Sequence, residues 1–259
     1  MTRFLAPIAC LLLVGLGAYP APAGLIANGN FESVSGDPLK FDGWTYDDAT
    51  RFTVQSRPGG SVISGNYSAE IVRGNVHNLY QTPSEAVSSF IFNMDFAVFP
   101  NTGDRTMNTQ LWWAAGGASD IAVQLRVGSD NRLQAYDGGA WRNIGTLAAD
   151  TTVDTGTPNV WNGEEPVVNH LSIVGHFGAT APYYDVTLNA NTVSNLQFFQ
   201  STVPAGATVG PIRFQANNGA SNWLVDNVSF VPEPSGAAML GALVLFALAP
   251  WRRRHSETK

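Results

Sequence analysis

Between Leu25 and Val231 apolar side chains return at every second position in short runs, and Gly, Asn, Asp or Pro breaks each run. A period of two marks strands with one buried face, and no stretch of helical length carries the 3.6-residue period of an amphipathic helix. Ile121, Val123, Leu125 and Val127 fall on one side of such a run and Gln124 and Arg126 on the other, which predicts a strand with one wetted face. Phe90, Phe92, Met94, Phe96 and Val98 alternate with Ser89, Ile91, Asn93, Asp95 and Ala97; this longer, more apolar pattern predicts a central strand. The alternation continues through 171–173, 184–188 and 212–215, with hairpin turns expected at Ser129-Asp130-Asn131 and Asp137-Gly138-Gly139. About a dozen short strands at this spacing predict an all-β fold, two antiparallel sheets packed as a jelly-roll sandwich.

The two ends break this pattern. Arg3, an apolar run from Phe4 to Ala18, and small residues at Ala21 and Ala23 read as a secretion signal over 1–23, cut after Ala23 by signal peptidase. The run is about fifteen residues where a membrane span needs about twenty, and Pro20 and Pro22 close it. At the other end, residues 235–251 are apolar throughout, with Trp251 at interface depth and Arg252, Arg253 and Arg254 just beyond, on the cytoplasmic side. As a transmembrane helix this stretch is about 25 Å long against a hydrocarbon core near 30 Å, a marginal span suited to a transient hold. The chain therefore divides into a signal (1–23), a sandwich domain (24–231) and a C-terminal tail (232–259).

Composition narrows the partners. The only cysteine, Cys10, lies inside the signal, so the mature domain has no disulfide and depends on core packing. About two hundred residues suffice for one sandwich. Residues 24–234 hold nine Lys plus Arg against nineteen Asp plus Glu, so the formal charge is 9 − 19 = −10, which argues against nucleic acid as a partner.

Val231-Pro232-Glu233-Pro234, the apolar stretch and the terminal arginines together resemble the PEP-CTERM sorting signal. That resemblance implies a membrane-embedded exosortase that recognises Pro232, Glu233 and Pro234. It also implies release to the cell surface or extracellular polysaccharide matrix of a Gram-negative-type bacterium, the protein being membrane-held before processing. Within the domain, Asn28-Gly29-Asn30-Phe31-Glu32 in an opening strand and Leu224-Val225-Asp226-Asn227-Val228 in a closing strand are similar to galactose-binding-like jelly rolls, many of them carbohydrate-binding modules. The middle, from Gln124 to Val186, looks more like a laminin-G or concanavalin-like sandwich.

Alternation puts Leu224, Asp226, Val228 and Phe230 on one face of the closing strand, and a carboxylate there needs donors, an arginine or a cation. The galactose-binding-like resemblance implies a structural calcium at Glu32 and Asp226, where the opening and closing strands meet; a hydrogen-bonded Asp226 is the alternative. For a sugar ligand, aromatic faces are the candidates. Trp112 and Trp113 are adjacent in a strand, so one of them faces out, and Trp113 is taken as a contact. Trp161 sits in a Gly-, Asn- and Pro-rich loop with Glu164 and Glu165 beside it as hydroxyl acceptors, while Trp44 and Trp141 are expected in the core. Glu164 and Glu165, being consecutive, would diverge on a strand and form no glycosidase pair. His77, His170, His176 and His255 have no metal-binding spacing. The resulting expectation is an exported, non-catalytic protein that binds polysaccharide, against two alternatives: a purely structural extracellular protein, and a glycan-active enzyme of the concanavalin-like class.

Overall fold

A computed structural model of the 259-residue chain describes residues 24–72, 74, 76–98, 107–113, 120–128, 130–148, 165–178, 181–199, 203, 207–216 and 222–233. The secretion signal, with Ala21 and Ala23, and the tail from Pro234 through Arg252, Arg253 and Arg254 lie outside these residues, as do Trp161 and Glu164. Among the described residues no helix is long and apolar enough to cross a membrane.

The chain is all-β. Its strands are β1 (Val34–Ser35), β2 (Lys40–Phe41), β3 (Thr45–Tyr46), β4 (Phe52–Ser56), β5 (Tyr67–Ile71), β6 (His77–Gln81), β7 (Ser89–Val98) and β8 (Asn108–Trp113). There follow β9 (Ile121–Val127), β10 (Arg132–Asp137), β11 (Ala140–Thr146), β12 (Asn169–His176), β13 (Tyr183–Leu188), β14 (Asn191–Gln197), β15 (Val209–Ala216) and β16 (Trp223–Pro232). Two antiparallel sheets of seven strands result. The first has the order β11-β10-β9-β8-β15-β6-β3 and the second β14-β13-β12-β7-β16-β5-β4, with β1 and β2 a separate pair.

The alternation of β7 does what its pattern predicts. Phe90, Phe92, Met94 and Phe96 are at most 1% exposed and face the other sheet, and β7 sits between β12 and β16 in the middle of its own. Inner residues of both sheets merge into one core cluster, so the domain is stabilised by a single interface of apolar side chains. Aromatics carry much of it: Phe31 stacks on Trp44 at 5.0 Å, Trp44 lies 5.5 Å from Phe214, and Phe214 meets Trp223 edge-on at 5.9 Å.

The opening residues differ from expectation. Residues 25–30 form turns rather than a strand, and Asn28 and Phe31 take positive φ values of 49° and 53°. The segment still runs along the closing strand, because Leu25 N donates to Phe230 O at 2.8 Å and Val228 N to Gly29 O at 2.7 Å. Glycine is required at 29 because a Cβ there would stand 1.8 Å from Val228 O.

The closing strand also departs from simple alternation. A bulge between Asp226 and Ser229, with Asn227 at φ 50°, shifts the register against β7. Val225 opposes Phe96 and Phe230 opposes Phe92 on the inner side, whereas Leu224 and Asp226 oppose Ala97 and Asp95 on the outer side. Asp226 therefore does not share a face with Val228 and Phe230. It is buried all the same, at 0% exposure, because residues 61–66 fold over that outer face and Ile63 packs on Ala97 and Leu224.

Candidate functional site

Two outer faces carry polar residues, and they are built differently. On the second sheet the carboxylates bind the chain itself. Asp226 Oδ2 accepts from Ser64 N, Ser64 Oγ and Ser68 Oγ at 3.2, 3.1 and 2.8 Å, and its Oδ1 from Asn227 N at 2.7 Å. Burial outweighs these donors and pushes its pKa up to about 6. Glu32 Oε1 accepts from Asn66 N and Tyr67 N at 2.8 and 3.2 Å, and Oε2 from Asn66 Nδ2 at 3.1 Å. Both side chains thus grip the 64–68 segment. These oxygens face N–H and O–H hydrogens, the opposite polarity from the lone pairs a cation requires, so the arrangement does not fit a calcium centre at Glu32 and Asp226. Among the described residues no group of three or more His, Cys, Asp or Glu side chains is placed to hold a metal.

The outer face of the first sheet is different in kind. Register aligns one row across it: Asn143 opposes Gln134, Gln134 opposes Arg126, Arg126 opposes Asn108, Asn108 opposes Gln215 and Gln215 opposes Asn78. Side chains are tied along the row. Gln134 Nε2 donates to Asn143 Oδ1 at 2.9 Å, Arg126 Nε to Gln134 Oε1 at 2.8 Å, and Asn108 Nδ2 to Gln215 Oε1 at 2.5 Å. Gln215 Nε2 continues to Asn78 Oδ1 at 3.3 Å, and Asn78 Nδ2 to Asp47 Oδ2 at 2.6 Å. A second row two residues along comprises Gln124, Gln110, Arg213, Tyr80 and Thr45.

Two arginine–aromatic stacks stand on this face. The Arg213 guanidinium lies 3.7 Å over the Trp112 ring and 5.4 Å from that of Tyr80, and the Arg126 guanidinium lies 3.9 Å over Trp141. Trp112 Nε1 donates to Gln110 Oε1 at 2.9 Å. Tyr136 and Trp141 meet edge-on at 5.4 Å and are half-buried. In the two rows the only carboxylate is that of Asp47, at one end. An amide offers both an acceptor oxygen and two donor hydrogens, and a sugar hydroxyl likewise donates and accepts. Such rows can meet hydroxyls where they are at least partly exposed, at Asn143, Gln134, Gln124, Gln215 and Asn78; Asn108, Gln110 and Trp112 are buried, and the Trp112 and Trp141 rings each carry an arginine on one face.

The expected site residues are distributed otherwise. Trp113 turns inward and packs against the core while keeping partial exposure, and Trp112 points to the outer face, where it is buried beneath Arg213. The odd and even positions of β8 settle this, since Thr109 and Leu111 oppose the inner residues Leu125 and Val123. Trp44 is a core residue, but Trp141, expected there, is on the outer face, because it pairs with Tyr136, which shares the outward phase of Gln134 on β10. Glu165 is exposed and 3.7 Å from the Arg57 guanidinium. Pro232 opposes Phe90 as the last residue of β16, Glu233 N donates to Ser89 O at 3.0 Å, and the Glu233 carboxylate is 3.2 Å from His176 Nδ1. The sandwich therefore engages the first two residues of the Pro232-Glu233-Pro234 motif.

Two seven-stranded antiparallel sheets packed face to face make this a β-sandwich of the jelly-roll class. No family model matches the chain, and no curated protein does. Among solved structures, a carbohydrate esterase from the Shiga toxin-encoding bacteriophage phi24B is similar with a TM-score of 0.50 at 12% identity, over 81% of this chain and 98% of that one. A sialidase is similar with a TM-score of 0.46 at 13% identity over 77% of this chain, which spans only 19% of the sialidase's length. The carbohydrate recognition domain of Emp46p in its metal-free form is similar with a TM-score of 0.43 at 9% identity, over 82% and 98% of the two chains. At such identities what is shared is the fold.

Proposed function

We propose that this chain is an exported, non-catalytic protein of the bacterial cell surface or extracellular matrix whose sandwich binds polysaccharide on the outer face of the β11-β10-β9-β8-β15-β6-β3 sheet. The observation that carries the reading is the amide row joining Asn143 to Asn78 in register, flanked by Trp112, Trp141, Tyr80 and Tyr136. A face that merely needs water would not concentrate long amides, arginines and aromatics at matching positions of six strands. Binding rather than hydrolysis is favoured because a glycosidase needs two carboxylates about 5 to 10 Å apart, and these rows carry one, at their margin. The known proteins that share the fold include one named for carbohydrate recognition and one named as a carbohydrate esterase, in keeping with a sugar ligand.

Export is proposed from the sequence. The signal ending at Ala23 delivers the chain to signal peptidase, and the Pro232-Glu233-Pro234 motif with residues 235–251 and Arg252, Arg253 and Arg254 delivers it to an exosortase after transient membrane insertion. Trp161 and Glu164 keep their place in the proposal as loop contacts beside the exposed Glu165. The test is affinity electrophoresis of the purified protein through a panel of polysaccharides. Retardation on at least one polymer, lost in Gln124→Ala, a partly exposed member of the second row, supports the reading. Free migration through all of them would leave a passive structural role.

A further inference from the structure

On this face one charge has no ion-pair or hydrogen-bond partner among the described residues. Arg213 enters no ion pair and no hydrogen bond with any described residue, and its Nε is buried without an acceptor. Its ring contacts, to Trp112 and Tyr80, hold the plane of the guanidinium but use only its faces, leaving the in-plane N–H groups undirected. The residues next to it in register, Gln110 and Tyr80, and Gln215 two positions along the strand, bring no negative charge. A half-buried cation normally has a counter-ion nearby, because removing part of its hydration is costly. Residues 24–234 hold nineteen carboxylates against nine bases, yet none among the described residues pairs with Arg213.

We infer that the ligand is an acidic polysaccharide of the uronate class, one of whose sugar carboxylates is bound by Arg213 while neighbouring hydroxyls meet the partly exposed Gln124 and Gln215. This rests on the carbohydrate-binding reading and specifies its ligand. A planar carboxylate matches two parallel N–H donors of a guanidinium, and the stack on Trp112 fixes the plane in advance, so little side-chain freedom is lost on binding. The net charge of −10 repels a polyanion at long range, so attraction must come from this short-range contact. Binding is accordingly expected to survive physiological salt, where the screening length is about 8 Å.

The experiment is titration calorimetry of the purified protein with polygalacturonate, alginate and hyaluronan, each beside its carboxyl-reduced neutral counterpart. At least one acid polymer should bind about 10- to 100-fold more tightly than its reduced form, the worth of one charge-assisted hydrogen-bonded contact. Arg213→Gln should abolish that difference while leaving residual binding of the neutral form, and Arg213→Lys should restore part of it; melting temperatures verify that both variants are folded. Equal affinity for acid and neutral forms, a preference for neutral glycans, or an acid preference unchanged in Arg213→Gln overturns the inference and leaves the carbohydrate reading standing. Absence of binding to every polymer, neutral or acid, overturns both.

Discussion

Asp226 gives the fold a pH dependence that can be isolated by one substitution. Its carboxyl is fully buried under residues 61–66 and its pKa is raised from 3.8 to about 6, chiefly by desolvation. The folded state then holds a proton that the unfolded chain has released, so stability falls as pH rises from about 4 to above 6. A shift of about two units corresponds to about 3 kcal/mol. In Asp226→Asn the position cannot titrate, although the NH2 group must face either the Asn227 N–H or the Ser64 and Ser68 donors and so costs stability at every pH. The informative quantity is therefore the stability of the native protein minus that of the variant, measured by urea unfolding between pH 4 and 7. Whatever the two proteins share cancels in this difference. Asp42 and Asp48, held below the usual range by hydrogen bonds from Ser33 and from Thr50, act in the opposite direction and below this window. The difference should shrink by about 3 kcal/mol from pH 4 to pH 7. A difference that stays constant, or grows with pH, would refute the reasoning from burial.

Other substitutions read other parts of the account. Gly29→Ala drives a Cβ into Val228 O and should lower stability by about 1–3 kcal/mol or prevent folding, as thermal unfolding will record. Trp112→Ala removes both the ring beneath Arg213 and a 5%-exposed side chain; polysaccharide retardation should vanish and stability fall by about 3 kcal/mol, with circular dichroism verifying the retained sheet. Calcium or a chelator should leave the melting temperature unchanged to within a degree or so, since the Glu32 and Asp226 oxygens already accept hydrogen bonds; a rise of several degrees with calcium contradicts this.

The parts of the fold that follow from local pattern were legible in the sequence. The long alternation of 89–98 identified a central strand, and Asp137-Gly138-Gly139 identified the β10–β11 turn, where Gly138 indeed has φ 58°. Phase was lost wherever a bulge intervened. One extra residue at Asn227 separates Asp226 from Val228 and Phe230. Trp141 faces outward without any bulge, through its pairing with Tyr136, which local pattern does not reveal. The sequence marks Asp226 as a carboxylate that needs donors, an arginine or a cation, with Glu32 beside it only through the calcium that the resemblance implies; the hydrogen bonds both carboxylates accept come from Ser64, Asn66, Tyr67 and Ser68, about 160 residues from Asp226 in the chain. The polar face escaped notice for the same reason. Gln124 and Arg126 mark a wetted strand face when read alone, and only the register of six strands gathers them with Asn108, Gln110, Arg213 and Gln215. A signal was present: the outward positions of β6, β8, β9, β10 and β15 carry Asn, Gln, Arg, Tyr and Trp where Lys, Glu and Thr would serve a merely solvated face.

The central claim is that polysaccharide lies on the outer face of the β8-containing sheet. Photo-cross-linking tests it most directly, using an oligosaccharide of the retained polymer that bears a diazirine, followed by peptide mapping of the adducts. Adducts concentrated in 108–113, 121–127 and 209–216 are the predicted result. Adducts confined to β12, β13 or the 61–66 segment on the opposite sheet would contradict it.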